Sequence, residues 1–236
     1  MKVPVVKEIL KANDRVADEN RSRFDAAGVR VVNVMASPGA GKTSLILATA
    51  ARLRGLRPGV IEGDVASSLD AETIAAHDIP VVQINTGGSC HLDAPMVQAA
   101  LPHLPLQEID LLFIENVGNL ICPASYALGA DLALVIGSVP EGHDKPYKYP
   151  GIFAKADVVL LNKADLVDVF AFDAEYFARG VRMVNPEVPI FIVSCRSGEG
   201  LEEWTAWLHQ WLGAGAADEA LAAAVAETAA AEVGPE

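Results

Sequence analysis

Short apolar runs alternate along the chain with stretches in which apolar residues recur at helical spacing. Each run is at most eight residues long and rich in Val, Ile and Leu, a composition typical of strands buried on both faces of a parallel sheet. Seven runs have this character: Val29–Ala36, Gly59–Gly63, Pro80–Asn85, Asp110–Glu115, Leu132–Val139, Asp157–Asn162 and Pro189–Ser194. The alternation predicts a doubly wound α/β fold with a mostly parallel sheet, whose ligands bind beyond the carboxyl ends of the strands.

The same pattern divides the chain into three parts. Residues 1–28 place apolar side chains among charges at helical intervals, which predicts one or two amphipathic helices. Residues 29–212 hold the seven strands and form the predicted ligand-binding domain. Helices are predicted within it over Thr43–Gly55, Asp70–His77 and Gly200–Leu212. Residues 213–236 are mostly Ala, Gly and acids without Lys or Arg, which indicates a solvated helix or a disordered tail.

The overall composition narrows the range of partners. The 236 residues carry a net charge of −13, which argues against nucleic acid, because a phosphate backbone is bound by clustered Lys and Arg. The chain has no apolar run of about 18 residues and no signal-peptide pattern, so we expect neither a membrane span nor a membrane partner. The three cysteines are an odd and sparse set, which fits a reducing compartment and predicts a cytoplasmic protein.

The segment Ser37-Pro-Gly-Ala-Gly-Lys-Thr43 follows the first predicted strand and opens a predicted helix. A glycine turn at a helix amino terminus directs backbone N–H groups at an anion, which predicts a phosphate-binding loop. Lys42 is expected to reach the β- and γ-phosphates, and the Thr43 hydroxyl to bind Mg²⁺. Ala36 stands where the usual pattern begins with Gly, which is acceptable if its φ is negative. The predicted contacts to phosphate come from Pro38, Gly39, Ala40, Gly41, Lys42, Thr43 and Ser44.

Acidic residues end two other predicted strands. Asp64 ends Ile61-Glu-Gly-Asp64 and Glu115 ends Phe113-Ile-Glu115, so both should lie at the same edge of the sheet as the phosphate loop. We predict that Asp64 and Glu115 bind Mg²⁺ together with Thr43. With Lys42 they form the predicted catalytic set, and the attacking water is expected near Asp64. Gly118, in Glu115-Asn-Val-Gly118, is predicted to sense the γ-phosphate through its N–H group.

The tetrapeptide Asn162-Lys-Ala-Asp165 follows a later strand and predicts a guanine pocket. The Asp165 carboxylate can accept hydrogen bonds from the guanine N1–H and exocyclic amine, two donors that adenine does not present together. Lys163 can lie along the base and Asn162 can brace the loops. The next strand is followed by Ser194-Cys-Arg196, which is expected to contact the guanine carbonyl, with Cys195 as a loop or a packing residue. The predicted guanine-site residues are Asn162, Lys163, Asp165, Ser194, Cys195 and Arg196.

Cys90, His91 and Cys122 are candidates for a second metal site. Cys90 and His91 are adjacent in a glycine-rich segment, and Cys122 comes seven residues after Glu115. Thiolate and imidazole ligands suit zinc, or nickel in a square-planar site. Three donors fall short of four ligands, so sharing across a two-fold axis would complete the site. The alternative is that both cysteines are small buried residues without a metal.

The phosphate loop, the guanine tetrapeptide and two longer segments together resemble one family. Cys-His-Leu-Asp93 and Glu115-Asn-Val-Gly-Asn-Leu-Ile-Cys-Pro123 look like those of the hydrogenase nickel-incorporation GTPases, the HypB family. The resemblance runs from about Asn13 to Leu212. One departure is that residues 1–29 contain neither Cys nor His, whereas some relatives carry a nickel-binding motif or a His-rich stretch there.

The resemblance implies a phosphate-loop GTPase of the SIMIBI class that forms a homodimer with GTP and Mg²⁺ and delivers nickel to the large subunit of [NiFe]-hydrogenase. It implies a small zinc-containing partner, HypA. It also assigns nickel or zinc to Cys90, His91 and Cys122, with Cys122 near the dimer axis. Lys145 and Lys148 look like part of the nucleotide or dimer surface.

Other functions remain open from the residues alone. A urease nickel-insertion GTPase is disfavoured because its Cys-Pro-His motif is absent, and a cobalamin-type assembly GTPase is disfavoured by Cys-His-Leu-Asp93. A phosphate-loop kinase is disfavoured by Asn162–Asp165. A metal-binding protein with a purely structural nucleotide would keep its metal delivery after Lys42→Ala, whereas a GTPase chaperone would lose it.

Overall fold

The fold is a seven-stranded sheet flanked by helices, seen in a computed structural model that describes residues 5–65 and 67–213. The strands are β1 (Arg30–Ala36), β2 (Pro58–Asp64), β3 (Val81–Asn85), β4 (Leu111–Glu115), β5 (Leu132–Ser138), β6 (Val158–Asn162) and β7 (Ile190–Ile192). Their order is β3-β2-β4-β1-β5-β6-β7, and every pairing is parallel. All seven predicted strands are present, and the predicted doubly wound α/β fold is confirmed.

The central strands of the sheet are buried on both faces, as their apolar sequences require. Every residue of β4 and of β6 is buried, and β1 is buried from its second residue onward. Because side chains alternate between the faces of a strand, such continuous apolar runs are stable only when helices cover both faces.

The helices are α1 (Val5–Ala27), α2 (Lys42–Ala50), α3 (Leu69–Ala75), α4 (Ala94–Ala100), α5 (Lys145–Lys148), α6 (Pro150–Phe153), α7 (Val167–Phe170), α8 (Ala174–Val184) and α9 (residues 201–213). The amino-terminal segment is therefore one continuous helix. The Nδ2 group of Asn20 in α1 donates a hydrogen bond to the Ala94 carbonyl at 2.9 Å, which joins α1 to α4. In α9, Trp204 is fully buried and donates from Nε1 to the Thr49 hydroxyl of α2 at 2.9 Å.

Since all seven strands run in one direction, the loops that follow them meet at a single edge of the sheet. No helix of the described residues is long and apolar enough to cross a membrane. The predicted tail lies outside the described residues except for Gly213. The division of the chain at residues 28 and 212 stays a prediction.

Candidate functional site

The phosphate loop lies between β1 and α2. Gly39 and Gly41 have φ values of 75° and 95°, in the left-handed region that favours glycine. At Gly41 a Cβ atom would lie 2.6 Å from Nδ2 of Asn162, so the close approach of the guanine loop also requires glycine there. Ala36 does not have a positive φ, and the condition for Ala at this position is met. The loop therefore presents its backbone at the start of α2, an arrangement that suits phosphate.

Glu115 lies directly beside the first residues of α2. Its Oε1 atom accepts a hydrogen bond from the Thr43 hydroxyl at 3.0 Å and is 3.7 Å from Nζ of Lys42. The residue is 1% exposed, and burial raises the pKa of its carboxyl group to about 7, against the opposing effect of Lys42 and Thr43. Three of the predicted catalytic and Mg²⁺ residues are thus in one cluster.

Asp64 belongs to a neighbouring cluster of acids. Its carboxylate lies with those of Glu62 and Asp70, and the oxygen atoms of the three groups are within 4.8 Å of one another. Glu62 is paired in register with Glu115 across β2 and β4. Burial, followed by the charges of Glu115 and Asp64, raises the pKa of Glu62 to about 8.

Glu62 was not predicted, although one signal pointed to it. It is an acid inside an otherwise apolar strand, and such a side chain is buried only with a partner or a bound cation. Among the described residues, Oε2 of Glu62 and Oε2 of Glu115 are buried without a hydrogen-bond partner. Carboxylate and hydroxyl oxygens are the donors that Mg²⁺ prefers, so these residues fit the predicted ion.

Gly118 lies against the phosphate loop. A Cβ atom at Gly118 would be 2.8 Å from the backbone nitrogen of Pro38 and 2.9 Å from its Cα atom. Two residues before it, Asn116 donates its backbone N–H group to the Val34 carbonyl at 3.0 Å. One residue after it, Asn119 donates its backbone N–H group to the Ala36 carbonyl at 2.8 Å. We call residues 115–122 the switch segment, because it begins at Glu115 beside the phosphate loop and ends at Cys122.

Asn162 joins the phosphate loop to the guanine loops. Its Nδ2 group donates to the Ala40 carbonyl at 2.9 Å, and its Oδ1 atom accepts from the backbone N–H groups of Lys163 at 2.8 Å and Cys195 at 3.3 Å. The Lys163 ammonium donates to the Gly39 carbonyl at 2.6 Å. Asn162 thus connects the phosphate loop to both of the loops that are predicted to bind guanine, and its role in nucleotide binding stays a prediction.

Asp165 is oriented by a neighbouring hydroxyl group. The Ser194 hydroxyl donates to Oδ1 of Asp165 at 2.6 Å and accepts from the backbone N–H of Ser197 at 3.1 Å. Burial raises the pKa of the Cys195 thiol, which favours its neutral form. These loops surround a cavity of about 380 Å³. Its lining residues are Gly41, Ser44, Asn162, Lys163, Asp165, Leu166, Cys195 and Arg196.

The structure brings Cys90, His91 and Cys122 together. The Sγ atoms of Cys90 and Cys122 are 3.1 Å apart, and Sγ of Cys90 is 3.6 Å from Nδ1 of His91. The His91 ring lies 3.9 Å from that of Tyr126, a neighbour that the sequence did not indicate. We call residues 86–93, which hold Cys90 and His91, the metal loop.

The chemistry of these groups suits a soft metal ion. Burial lowers the pKa of His91, which keeps the imidazole neutral and able to bind a metal. The adjacent Cys122 thiol is the largest cause of a raised pKa at Cys90 and burial is the second, so a metal ion that binds there must displace the thiol proton. Two sulfur atoms and one imidazole nitrogen within 4.8 Å of one another fit nickel or zinc.

Comparisons with known proteins identify relatives of this chain. Residues 30–192 match the model of the CobW/HypB/UreG nucleotide-binding domain. The chain is 51% identical over 210 residues to the hydrogenase maturation factor HypB of Azotobacter vinelandii, which covers 89% of this chain and 69% of that protein. It is 41% identical over 210 residues to the hydrogenase/urease maturation factor HypB of Helicobacter pylori, covering 87% of this chain and 86% of that protein.

Solved structures show the same relationship. The crystal structure of HypB from Helicobacter pylori in complex with nickel has a TM-score of 0.83 at 39% identity and covers 86% of this chain and 96% of that one. HypB from Archaeoglobus fulgidus has a TM-score of 0.80 at 38% identity, covering 86% of this chain and 99% of that one. The chain therefore belongs to the CobW/HypB/UreG family and, within it, to the hydrogenase maturation factors named HypB.

Proposed function

We propose that this protein is a GTP-hydrolysing nickel metallochaperone of the cytoplasm that serves the maturation of [NiFe]-hydrogenase. GTP and Mg²⁺ bind at the phosphate and guanine loops, and nickel is the cargo bound by Cys90, His91 and Cys122. The same three ligands also suit zinc as a resting occupant. The partners are a second copy of the chain, the accessory protein HypA and the hydrogenase large subunit.

One observation carries this proposal. The switch segment begins at Glu115, which accepts a hydrogen bond from Thr43 at 3.0 Å, and ends at Cys122, whose Sγ atom is 3.1 Å from that of Cys90. If the switch segment changes position when the γ-phosphate is lost, the change therefore reaches Cys122, a metal ligand only seven residues after Glu115. The Helicobacter pylori relative was solved in complex with nickel, which supports nickel as the cargo.

The residues around the nucleotide phosphates have distinct roles in this mechanism. Lys42 neutralises charge on the β- and γ-phosphates, and Gly118 donates its backbone N–H to the γ-phosphate. Asp64 orients the attacking water. Thr43, Glu115 and Asp64 would hold Mg²⁺, which when bound would supply positive charge against the negative charge that develops during phosphoryl transfer. Loss of the γ-phosphate releases Gly118, and the switch segment then relaxes around Cys122.

A nickel titration tests the coupling. Metal-free protein is titrated with nickel in Mg²⁺-GDP and in Mg²⁺ with a non-hydrolysable GTP analogue, and the thiolate-to-nickel charge-transfer absorption is followed. We expect the two dissociation constants to differ at least about fivefold, the lower end of typical coupling between sites. Lys42→Ala should remove the difference, and Cys122→Ser should remove the absorption.

The control is His103→Ala, which removes an exposed histidine that belongs to neither site. It should reproduce the wild-type curves. If the two wild-type titrations coincide, the nucleotide and the metal are not linked in this protein, and the proposed function is wrong.

Urease maturation is a second candidate target, because the Helicobacter pylori relative is named a hydrogenase/urease maturation factor. Both targets would use the same nickel site. Adding the chain to cells that lack their own maturation factor, and measuring hydrogenase and urease activity side by side, distinguishes them.

A further inference from the structure

Two asparagines of the switch segment hold the metal loop by its backbone. The Nδ2 group of Asn119 donates to the carbonyl of Cys90 at 3.1 Å, and Oδ1 of Asn116 accepts from the backbone N–H of Leu92 at 3.0 Å. These two hydrogen bonds flank His91. The switch segment, which contains Cys122, is therefore hydrogen-bonded to the metal loop, which contains Cys90 and His91.

Each asparagine is itself held in place. Asn116 is fully buried, its Oδ1 atom also accepts from the backbone N–H of Val117 at 3.0 Å, and its Nδ2 group donates to Oδ1 of Asn33 at 3.2 Å. The Oδ1 atom of Asn119 accepts from the backbone N–H of Ile121 at 2.9 Å. Both ends of each amide are engaged. Asn116 in addition cannot turn away without leaving buried polar groups unpaired, which is costly.

The backbones of the same two residues are hydrogen-bonded to the end of β1, next to the phosphate loop. Asn116 and Asn119 donate their N–H groups to Val34 and Ala36, the last part of β1 before the phosphate loop. Gly118 lies between them, against Pro38. The residues that hold the metal loop thus flank the residue that is proposed to sense the γ-phosphate.

We propose that Asn116 and Asn119 are positioning residues that make the metal loop follow the switch segment when the nucleotide changes. Cys90 and His91 then move together with Cys122, and the three ligands stay near one another while their position relative to the phosphate loop changes. Without these hydrogen bonds only Cys122 would move, and it would separate from the other two. This inference rests on the proposed function, since it names the residues through which the nucleotide state reaches the metal ligands.

Hydrogen exchange of the metal-free full chain tests the inference without nickel. Deuterium uptake is compared between Mg²⁺-GDP and Mg²⁺ with a non-hydrolysable GTP analogue. In the wild-type chain we expect nucleotide-dependent uptake in both residues 86–93 and residues 115–122. In Asn119→Ala the change in residues 115–122 should persist, and the change in residues 86–93 should fall by at least about half, because one of the two backbone links is lost.

Asn119→Ala is expected to fold, because Asn119 is only half-buried and its side chain makes one hydrogen bond to another segment. Asn116→Ala should have the larger effect, because Asn116 is fully buried. Its thermal midpoint and GDP binding are measured first, to establish that the variant folds. The matched control is Asn185→Ala. Asn185 is also half-buried and donates to two backbone carbonyls, Phe153 at 3.1 Å and Ala156 at 2.7 Å, without touching the metal loop. This control should keep the wild-type response.

Two results would overturn the inference: a wild-type response confined to residues 115–122, or a full response of residues 86–93 in Asn119→Ala. Nickel titration of the same variants distinguishes a failure of this inference from a failure of the proposed function. We expect the ratio of nickel dissociation constants between the two nucleotides to rise about fivefold in Asn119→Ala, equivalent to one net hydrogen bond, because Cys122 then separates from Cys90 and His91 in one of the two states. The wild-type nickel dissociation constants could be equal in the two nucleotides while hydrogen exchange behaves as proposed. In that case the inference that the two loops move together is correct, and the metallochaperone mechanism is wrong.

Discussion

At the scale of single residues, the predicted guanine site contains side chains that are oriented before any base binds. Asp165 is exposed, but one of its carboxylate oxygens is already held by Ser194 at 2.6 Å. The Ser194 hydroxyl is in turn directed by the backbone N–H of Ser197. Because the carboxylate is oriented in advance, less conformational entropy is lost when a base binds.

Asp165→Asn should change which base is bound. The neutral amide loses one acceptor for the two guanine donors, and its N–H₂ group instead matches the C2 carbonyl of xanthine. Since a hydrogen bond to a charged group contributes about 1.5–3 kcal/mol, GDP should bind about 10- to 100-fold more weakly, while XDP should bind more tightly than to the wild type. Isothermal titration with both nucleotides measures this.

Asp168→Asn is the control, because Asp168 is an exposed acid of the adjacent α7. It should leave both affinities as in the wild type. An Asp165→Asn protein that still prefers GDP by the wild-type margin would show that Asp165 does not read the base.

At the scale of elements, the spacing between the switch segment and the phosphate loop is set by the absence of a side chain. A Cβ atom at Gly118 would overlap the backbone of Pro38, which cannot yield as a flexible side chain can. The phosphate loop in turn is held by Asn162 on its other side. The loop is therefore confined between two neighbours, and a shift of one is transmitted to it.

Gly118→Ala and Gly151→Ala should have opposite effects on stability. At Gly118 the new methyl group forces the two loops apart, so we expect a lower thermal midpoint and a loss of GTP affinity. At Gly151, in α6, a Cβ atom meets open space, so the same change should stabilise the chain by about 0.5–1 kcal/mol. Thermal denaturation and GTP-analogue binding of both variants provide the comparison. Equal effects of the two substitutions would refute the steric argument.

At the scale of the whole molecule, the parallel sheet brings the phosphate, guanine and metal loops to one edge. The metal ligands lie at the surface, where Cys90 is exposed. A protomer offers three donors in this cluster, one fewer than zinc or square-planar nickel takes. A second copy of the chain across a two-fold axis would supply the missing donor.

Nickel should therefore strengthen the dimer. In sedimentation velocity with Mg²⁺ and a GTP analogue, adding nickel is expected to raise the dimer fraction, because ligands of both protomers then bind the same ion. Cys122→Ser should lose the nickel-dependent part, whereas His103→Ala should keep it. A dimer fraction that is unaffected by nickel in the wild type would argue for a site complete within one protomer.

Much of the molecule could be predicted because local patterns carried the information. Seven apolar runs indicated seven strands, and their alternation with helices implied a parallel sheet with its ligand loops at one edge. Gly41, Lys42 and Thr43 were identified because a phosphate loop is a local motif. Glu62 was missed because it stands within an apolar run and reads as an ordinary strand residue. Its proximity to Glu115 arises only when β2 lies beside β4, and its proximity to Asp70 only when α3 packs near β2.

By itself, the sequence determined the fold class, the phosphate and guanine motifs and the family, because each depends on residue types at short spacing along the chain. The tertiary structure decided which distant segments touch. Cys90 and Cys122 are brought within 3.1 Å of each other, and Asn116 and Asn119 are set against the backbone of the metal loop. Such contacts between residues 24 to 32 positions apart follow from strand order and loop packing, which short-range patterns do not encode.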